Sequence, residues 1–156
     1  KRPPLTPLLL GGGQERGLRP GTLPVHLVVG LGLASQLAVA EEAERRHRCE
    51  ATREQVLEAL TAAGGIINGD PGQSVPHIVN ASIPGLDSEA VILALRDIMS
   101  ISNGSACTSA SYEPSHVLAA MGLDDDTQRG AVRLSWGSES AFPDGAVISS
   151  CLQRLH

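Results

Sequence analysis

Apolar residues recur at helical spacing along the first half of this chain and again at its C-terminal end. Over residues 23–62 they fall three or four positions apart, which predicts a helix that is either continuous or broken. Residues 41–48 place acidic side chains ahead of basic ones, which is typical of a water-facing helix surface. A last amphipathic helix is predicted from Val147, Ile148, Cys151, Leu152 and Leu155.

Alternation of apolar and polar residues predicts the strands of a small sheet. The pattern covers residues 66–67, 78–83 and 131–136, and a further short strand is expected over residues 99–101. Residues 68–72 are a turn by composition, because Asn, Gly, Asp and Pro dominate them.

Shorter helices are expected between the strands. One is predicted from a cap at Asp87 or Ser88 to about Asp97, and Pro114 fits the first turn of another. Residues 124–126, three aspartates in a row, are expected to form an acidic turn with too few ligands for calcium. The whole pattern predicts an α+β fold, with helices packed on one side of a small, mostly antiparallel sheet.

Composition and charge limit the class of protein. The chain has 156 residues and a net charge of -5, which suits one domain with a modest core. We find no apolar run long enough for a bilayer and no signal-peptide pattern. The three cysteines are an odd number without metal-ligand spacing, so a reducing cytoplasm is the expected location. The acidic balance gives no reason to expect direct binding to nucleic acid, and membrane association is not expected either.

One cysteine lies in a segment of unusual composition. Residues 102–114 are rich in serine and contain no large aliphatic side chain, so an exposed loop is predicted, with Cys107 between small neighbours. A single cysteine is more often a small buried residue, so the residues alone leave both a buried and a reactive thiol open. Cys49 in the charged helix is interpreted as incidental, and Cys151 on an apolar helix side is expected in the core.

The stretch of residues 11–22 contains five glycines, two arginines and a threonine ahead of the first helix. Closely spaced backbone amides bind anions, Arg16 and Arg19 add positive charge, and Thr22 is placed to cap the helix. These features fit a phosphate site at a helix start. An ordinary glycine-rich turn followed by a helix cap fits the same residues.

Arg133 lies between apolar neighbours in a predicted strand. It could form a surface ion pair on an edge strand. A guanidinium also binds a carboxylate through two parallel hydrogen bonds, so a carboxylate clamp is the second interpretation.

Several segments together resemble the cysteine desulfurases, pyridoxal-phosphate enzymes of aminotransferase class V and fold type I. The resemblance is carried by Ser105-Ala106-Cys107-Thr108-Ser109 with Gly104 and Glu113-Pro114-Ser115, by residues 11–22, by Asn68-Gly69-Asp70 and by Arg133-Leu134-Ser135. It covers nearly the whole chain, and the long serine-rich loop is similar to that of group I of the family.

The resemblance implies the C-terminal part of such an enzyme. Residues 1–22 would end the large domain with a glycine-rich active-site loop, residues 23–62 would be a connecting helix, and residues 63–156 would be the small domain with the cysteine loop. Enzymes of this class hold pyridoxal 5'-phosphate on a lysine. The only lysine here is Lys1, so the cofactor lysine is expected outside this chain, and the chain alone is expected to be inactive.

The resemblance also implies a role for each candidate residue. Cys107 would take sulfur from L-cysteine as a persulfide and leave L-alanine, and Arg133 would hold the substrate carboxylate. Thr22 would bind the cofactor phosphate of the partner subunit in a homodimer. Gln14 stands where a histidine is expected, which argues against proton transfer at that position. Relatives pass their sulfur to acceptor proteins that serve iron-sulfur cluster assembly, tRNA thiolation or DNA phosphorothioation.

Two other functions are considered. A non-catalytic scaffold derived from this fold would be favoured by the lack of an internal lysine if the 156 residues were the whole native chain. A selenocysteine lyase-like enzyme is the other alternative, and the serine-rich loop around Cys107 argues against it.

Overall fold

The computed structural model describes residues 4–103 and 115–155. The chain divides into two compact units, Lys1–Glu42 and Ala43–His156. This division differs from the three segments expected from the sequence, which remain a prediction.

From residue 4 onward, the first unit contains the glycine-rich segment followed by a helix. A short 3-10 turn, Glu15–Gly17, precedes helix α1, Val25–Ala40. The N-cap residue of α1 is Pro24, and no side chain in the described ranges caps this helix, so the expectation that Thr22 is its cap is wrong. The α1 sequence is apolar on nearly every side, and none of its residues is buried.

Helix α2, Glu42–Ala62, follows after a break at Glu41, so the predicted long helix is broken. Its buried residues lie along one stripe: Cys49, Val56, Ala59 and Leu60. Cys49 lies in this stripe with its side chain only 7% exposed, although its neighbours in sequence are charged, and its interpretation as incidental to the chemistry remains a prediction. Within the described ranges no single helix is long and apolar enough to cross a membrane, and α1 and α2 meet that test only as a pair across a break.

Among the described residues of the second unit, four short strands form one antiparallel sheet. They are β1 (Ile66–Ile67), β2 (Ile78–Ser82), β3 (Ser102–Asn103) and β4 (Ala131–Ser135), in the spatial order β1-β2-β4-β3. The predicted antiparallel sheet and α+β class are therefore confirmed. The strand expected over residues 99–101 begins later, at Ser102. Met99 and Ile101 pack against the core from the segment before the strand, so their apolar character does not mark the strand itself.

The part of the second unit that the structure describes also contains the helices α3 (Ser88–Leu95), α4 (His116–Ala120), α5 (Asp125–Arg129) and α6 (Gly145–Gln153). An aspartate carboxylate accepts a hydrogen bond from a backbone N–H at the start of α3, α5 and α6, as expected of N-cap residues. The acidic turn predicted at residues 124–126 is instead the start of α5, capped by Asp124.

The core lies between the helices and one face of the sheet. It contains Val56, Leu60, Val79, Ala81, Ile83, Leu86, Val91, Leu95, Val132, Leu134, Ile148 and Leu152. Cys151 is half-buried and packs against this core, as expected. Directly after β4 the Trp136 indole N–H donates to the Cys49 carbonyl oxygen at 3.1 Å, which ties the sheet to α2.

Candidate active site

The sheet has one apolar and one polar face because side chains alternate along each strand. Val132 and Leu134 of β4 are buried, whereas Arg133 between them is exposed on the opposite face. Arg133 is paired in register with Asn80 of β2 on one side and Ser102 of β3 on the other. Residues paired in this way place their side chains on the same face, so these three form a polar row across the sheet.

The guanidinium of Arg133 is available to a ligand. It forms no hydrogen bond or ion pair with any residue in the described ranges. Since β4 is an inner strand, the alternative of a surface ion pair on an edge strand does not hold. A guanidinium presented in this way can bind a carboxylate through two parallel hydrogen bonds.

Asn80, the neighbour of Arg133, is held by a chain of hydrogen bonds that we call the Asn80 relay. The Ser82 hydroxyl donates to the Thr127 carbonyl oxygen at 2.6 Å. The Asn68 side-chain amide donates to Ser82 Oγ at 2.8 Å and to Asn80 Oδ1 at 2.7 Å. The relay therefore links the middle of α5 to the residue beside Arg133. Asn68 belongs to a predicted motif, but no sequence pattern points to a role for Ser82 or Thr127.

Asp124 fixes the far end of the relay. Its carboxylate accepts hydrogen bonds from the Thr127 backbone N–H and hydroxyl, each at 2.9 Å. The bond from the Thr127 backbone N–H has the larger effect and the bond from the hydroxyl the smaller one. Both lower the pKa of Asp124 below its ordinary value because they favour the charged carboxylate.

Arg53 of α2 fastens the segment that leads into β2. Its guanidinium donates to the carbonyl oxygens of Val75 at 2.8 Å and Pro71 at 3.0 Å, and to the Ser74 hydroxyl at 2.8 Å. Sequence reasoning missed this residue, because nothing local separates it from the other arginines of a charged helix.

Cys107 lies outside the described residues. Strand β3 ends at Asn103, directly before residues 104–114, which are also outside them, and α4 begins at His116. The chain therefore enters the cysteine segment from a strand whose Ser102 is paired with Arg133.

The glycine-rich segment of the first unit is closed by a side chain. The Gln14 Oε1 atom accepts a hydrogen bond from the Gly21 N–H at 3.2 Å, and Arg19 donates to the Pro20 carbonyl oxygen at 2.8 Å. The Gln14 side-chain amide also lies over Gly12, where a Cβ atom would contact it and the exposed Gln14 side chain would have to move. The adjacent Thr22 is exposed, and its hydroxyl has no hydrogen bond with any described residue.

These residues fit one end of a phosphorylated cofactor. The exposed Thr22 hydroxyl can donate to a phosphate oxygen. The only lysine is Lys1, which lies outside the described residues, so residues 4–103 and 115–155 offer no amine for a Schiff base. The same ranges contain no cluster of metal-binding side chains.

The second unit combines helices with a small antiparallel sheet, and that sheet carries a polar row around Arg133. The cysteine-bearing segment follows directly after β3 in the sequence. These features suggest comparison with the fold-type-I enzymes. The chain belongs to the aminotransferase class-V family, which matches residues 5–143. Within that family it is similar to the cysteine desulfurase IscS of Dechloromonas aromatica, with 45% identity over 147 residues. That match covers 94% of this chain but 35% of the relative, so the chain spans about a third of that protein.

Solved structures agree with this assignment. A NifS-like protein aligns over 97% of this chain and 38% of its own, with a TM-score of 0.73 and 29% identity. The structure of SspA in complex with cysteine aligns over 88% of this chain and 37% of its own, with a TM-score of 0.55 and 31% identity.

Proposed function

We propose that this chain is the C-terminal part of a pyridoxal-phosphate-dependent cysteine desulfurase. In this reaction the C–S bond of L-cysteine breaks, the Cys107 thiolate takes the sulfur as a persulfide, and L-alanine leaves with a proton in place of the sulfur. Bound pyridoxal 5'-phosphate supplies the electron sink for breaking that bond. The 45% identity to a cysteine desulfurase supports the proposal, as does the likeness to SspA, whose solved structure is a complex with cysteine.

The observation that carries the proposal is the register of β3 against β4. Ser102 is paired with Arg133, and Asn103 ends the strand. Four residues of chain cover at most about 14 Å, so Cys107 is tethered within that distance of Asn103. A carboxylate held by Arg133 would therefore lie within reach of the thiol that accepts the sulfur.

The remaining roles follow from the same proposal. Thr22 binds the cofactor phosphate of the partner subunit in a homodimer, and a sulfur-acceptor protein removes the persulfide sulfur. A reducing compartment such as the cytoplasm suits a reaction that depends on a free thiolate.

The direct test uses an enzyme of the relatives' full length that contains this chain. Cys107→Ser should retain the cofactor colour and lose sulfide release, because a hydroxyl cannot store sulfur as a persulfide. Mass spectrometry after incubation with L-cysteine should find one added sulfur on the peptide that carries Cys107. Matched Cys49→Ser and Cys151→Ser variants should retain that added sulfur. Sulfur found on Cys49 or Cys151, or sulfide release by Cys107→Ser at the parent rate, would contradict the proposal. An enzyme that forms neither sulfide nor persulfide would instead favour the scaffold function.

Arg133→Ala tests the carboxylate clamp in the same enzyme. Loss of a hydrogen bond to a charged group costs about 1.5–3 kcal/mol, so KM for L-cysteine should rise roughly ten- to a hundred-fold. An unchanged KM in a folded variant would assign Arg133 to structure.

A further inference from the structure

The Thr127 carbonyl oxygen sets the direction of every hydrogen bond in the Asn80 relay, because it can accept a hydrogen bond but cannot donate one. The Ser82 hydroxyl must therefore be the donor in their 2.6 Å contact. Ser82 Oγ can then only accept from Asn68, which requires the Asn68 NH2 group to face it. The orientation of the Asn68 amide is thereby fixed without reference to Asn80.

Asn68 passes this orientation to Asn80. The second hydrogen of the Asn68 amide points to Asn80 at 2.7 Å, so Asn80 must present its oxygen there rather than its NH2 group. This leaves the Asn80 Nδ2 group as a hydrogen-bond donor with two hydrogens, and it has no acceptor in the described ranges. Asn80 is paired across the sheet with Arg133, so this donor belongs to the same polar row as the guanidinium.

An unsatisfied atom marks the same orientation. Asn68 Oδ1 is buried and has no hydrogen-bond partner among the described residues. A buried polar atom without a partner is costly, and turning the amide is the simplest way to change its surroundings. Turning the Asn68 amide would place its Oδ1 atom against Ser82 Oγ. The Ser82 hydroxyl already donates its hydrogen bond to Thr127, so the two oxygens would face each other without a hydrogen between them. The relay therefore keeps the Asn68 amide in the observed orientation.

We propose that Asn80 is a second carboxylate-binding residue beside Arg133, and that Asn68 is the positioning residue that turns its NH2 group outward. The inference rests on the proposed function, in which the ligand is the carboxylate of L-cysteine. A carboxylate has about four lone-pair directions and a guanidinium fork occupies two, so a neutral donor alongside completes the site without adding charge.

Steady-state kinetics of the complete enzyme with L-cysteine tests this. Asn80→Ala should raise KM roughly ten- to a hundred-fold, the cost of a hydrogen bond to a charged group, with kcat little changed. Asn80→Asp retains an oxygen toward Asn68 but replaces the donor with an anion, so its KM should rise at least as much. Ser135→Ala is the matched control, because Ser135 is exposed on the same face of β4 and its KM should not change.

Two further measurements separate carboxylate binding from a structural role. Inhibition by cysteamine, which has the thiol and amine but no carboxylate, should be the same in the parent and both Asn80 variants. Asn68→Asp removes the donor that orients Asn80, so KM should rise by a smaller factor, roughly three- to ten-fold, with kcat unchanged. Circular dichroism shows which variants fold, and Asn80→Asp retains the acceptor side of the relay if Asn80→Ala does not fold.

The outcomes of the two proposals are distinguishable. If the parent releases sulfide and both folded Asn80 variants keep its KM, the inference is overturned while the proposed function stands. If the parent releases no sulfide, the proposed function fails, and L-cysteine binding measured by calorimetry decides the inference. Weaker binding by the Asn80 variants would then support it, and equal binding would overturn it.

Discussion

The two faces of the β2–β4 pair are built from alternate residues of the same strands, yet they have different physical properties. On the core face, Val79, Ala81, Val132 and Leu134 are at most 3% exposed and contact other apolar side chains. On the polar face, Ser82 and Asn80 take part in directed hydrogen bonds that lead toward the exposed Arg133.

The comparison separates stability from orientation. Apolar contacts have no direction, so the core face can hold the strands together without specifying where any side chain points. Each hydrogen bond of the relay assigns one donor and one acceptor. A change at Thr127 should therefore alter the orientation of the Asn80 side-chain amide. Substitutions on the core face should therefore affect unfolding, and those on the polar face should mainly affect ligand binding.

The largest expected effect is on the core face. Leu134 is 3% exposed in the core, so Leu134→Ala should lower the free energy of unfolding by about 2–5 kcal/mol. Ser135→Ala on the opposite face should change it by no more than about 0.5 kcal/mol. Chemical denaturation of the chain checks both, and equal losses would contradict the distinction between the faces.

Ser82 is the one member of the relay that combines burial with direction. It is 1% exposed, and Ser82→Ala leaves the Thr127 carbonyl oxygen without its donor, which should cost about 1–3 kcal/mol of stability. In an enzyme of the relatives' full length with the proposed activity, the same variant should also raise KM for L-cysteine, because Asn68 loses one of its two acceptors. A stability loss with an unchanged KM would show that the relay is only structural.

The smallest expected effect is a pH dependence at the far end of the relay. The lowered pKa of Asp124 means that its charged form stabilises the folded chain, chiefly through the Thr127 N–H. This contribution is present above the ordinary carboxyl pKa of about 4 and is lost as the pH falls through the lower folded-state value. Asp124→Asn keeps a capping oxygen that does not titrate.

Thermal unfolding across that pH range checks the sign. The parent should lose stability relative to Asp124→Asn as the pH falls below about 4. A constant difference between the two proteins would contradict the assignment.

Local pattern predicts much of this fold, and the failures have physical causes. Alternation over residues 131–136 predicts that Arg133 points away from the core, as the structure has it. The pairing of Arg133 with Asn80 joins residues far apart in sequence, and no local pattern contains it. The relay escapes prediction for the same reason, because Ser82 and Thr127 meet only through the fold.

At two places the charge of neighbouring residues is a poor guide to the structure. The acidic run at residues 124–126 is typical of a turn, but Asp124 can cap a helix and Asp125 and Asp126 favour a helix N-terminus. Cys49 has charged neighbours in sequence, whereas its neighbours on the helix face, Val56 and Leu60, place it in the buried stripe. In both cases position within a helix outweighs composition.

The bond between Trp136 and the Cys49 carbonyl oxygen gives the chain an optical probe of its own. Trp136 is the only tryptophan among the 156 residues, and its half-buried indole joins the end of the sheet to the middle of α2. When the sheet and the helix separate, the ring must exchange a carbonyl partner for water, and its fluorescence emission should move to longer wavelength. Because Arg133 is three positions earlier, within β4, the emission can report on this part of the sheet without an attached dye.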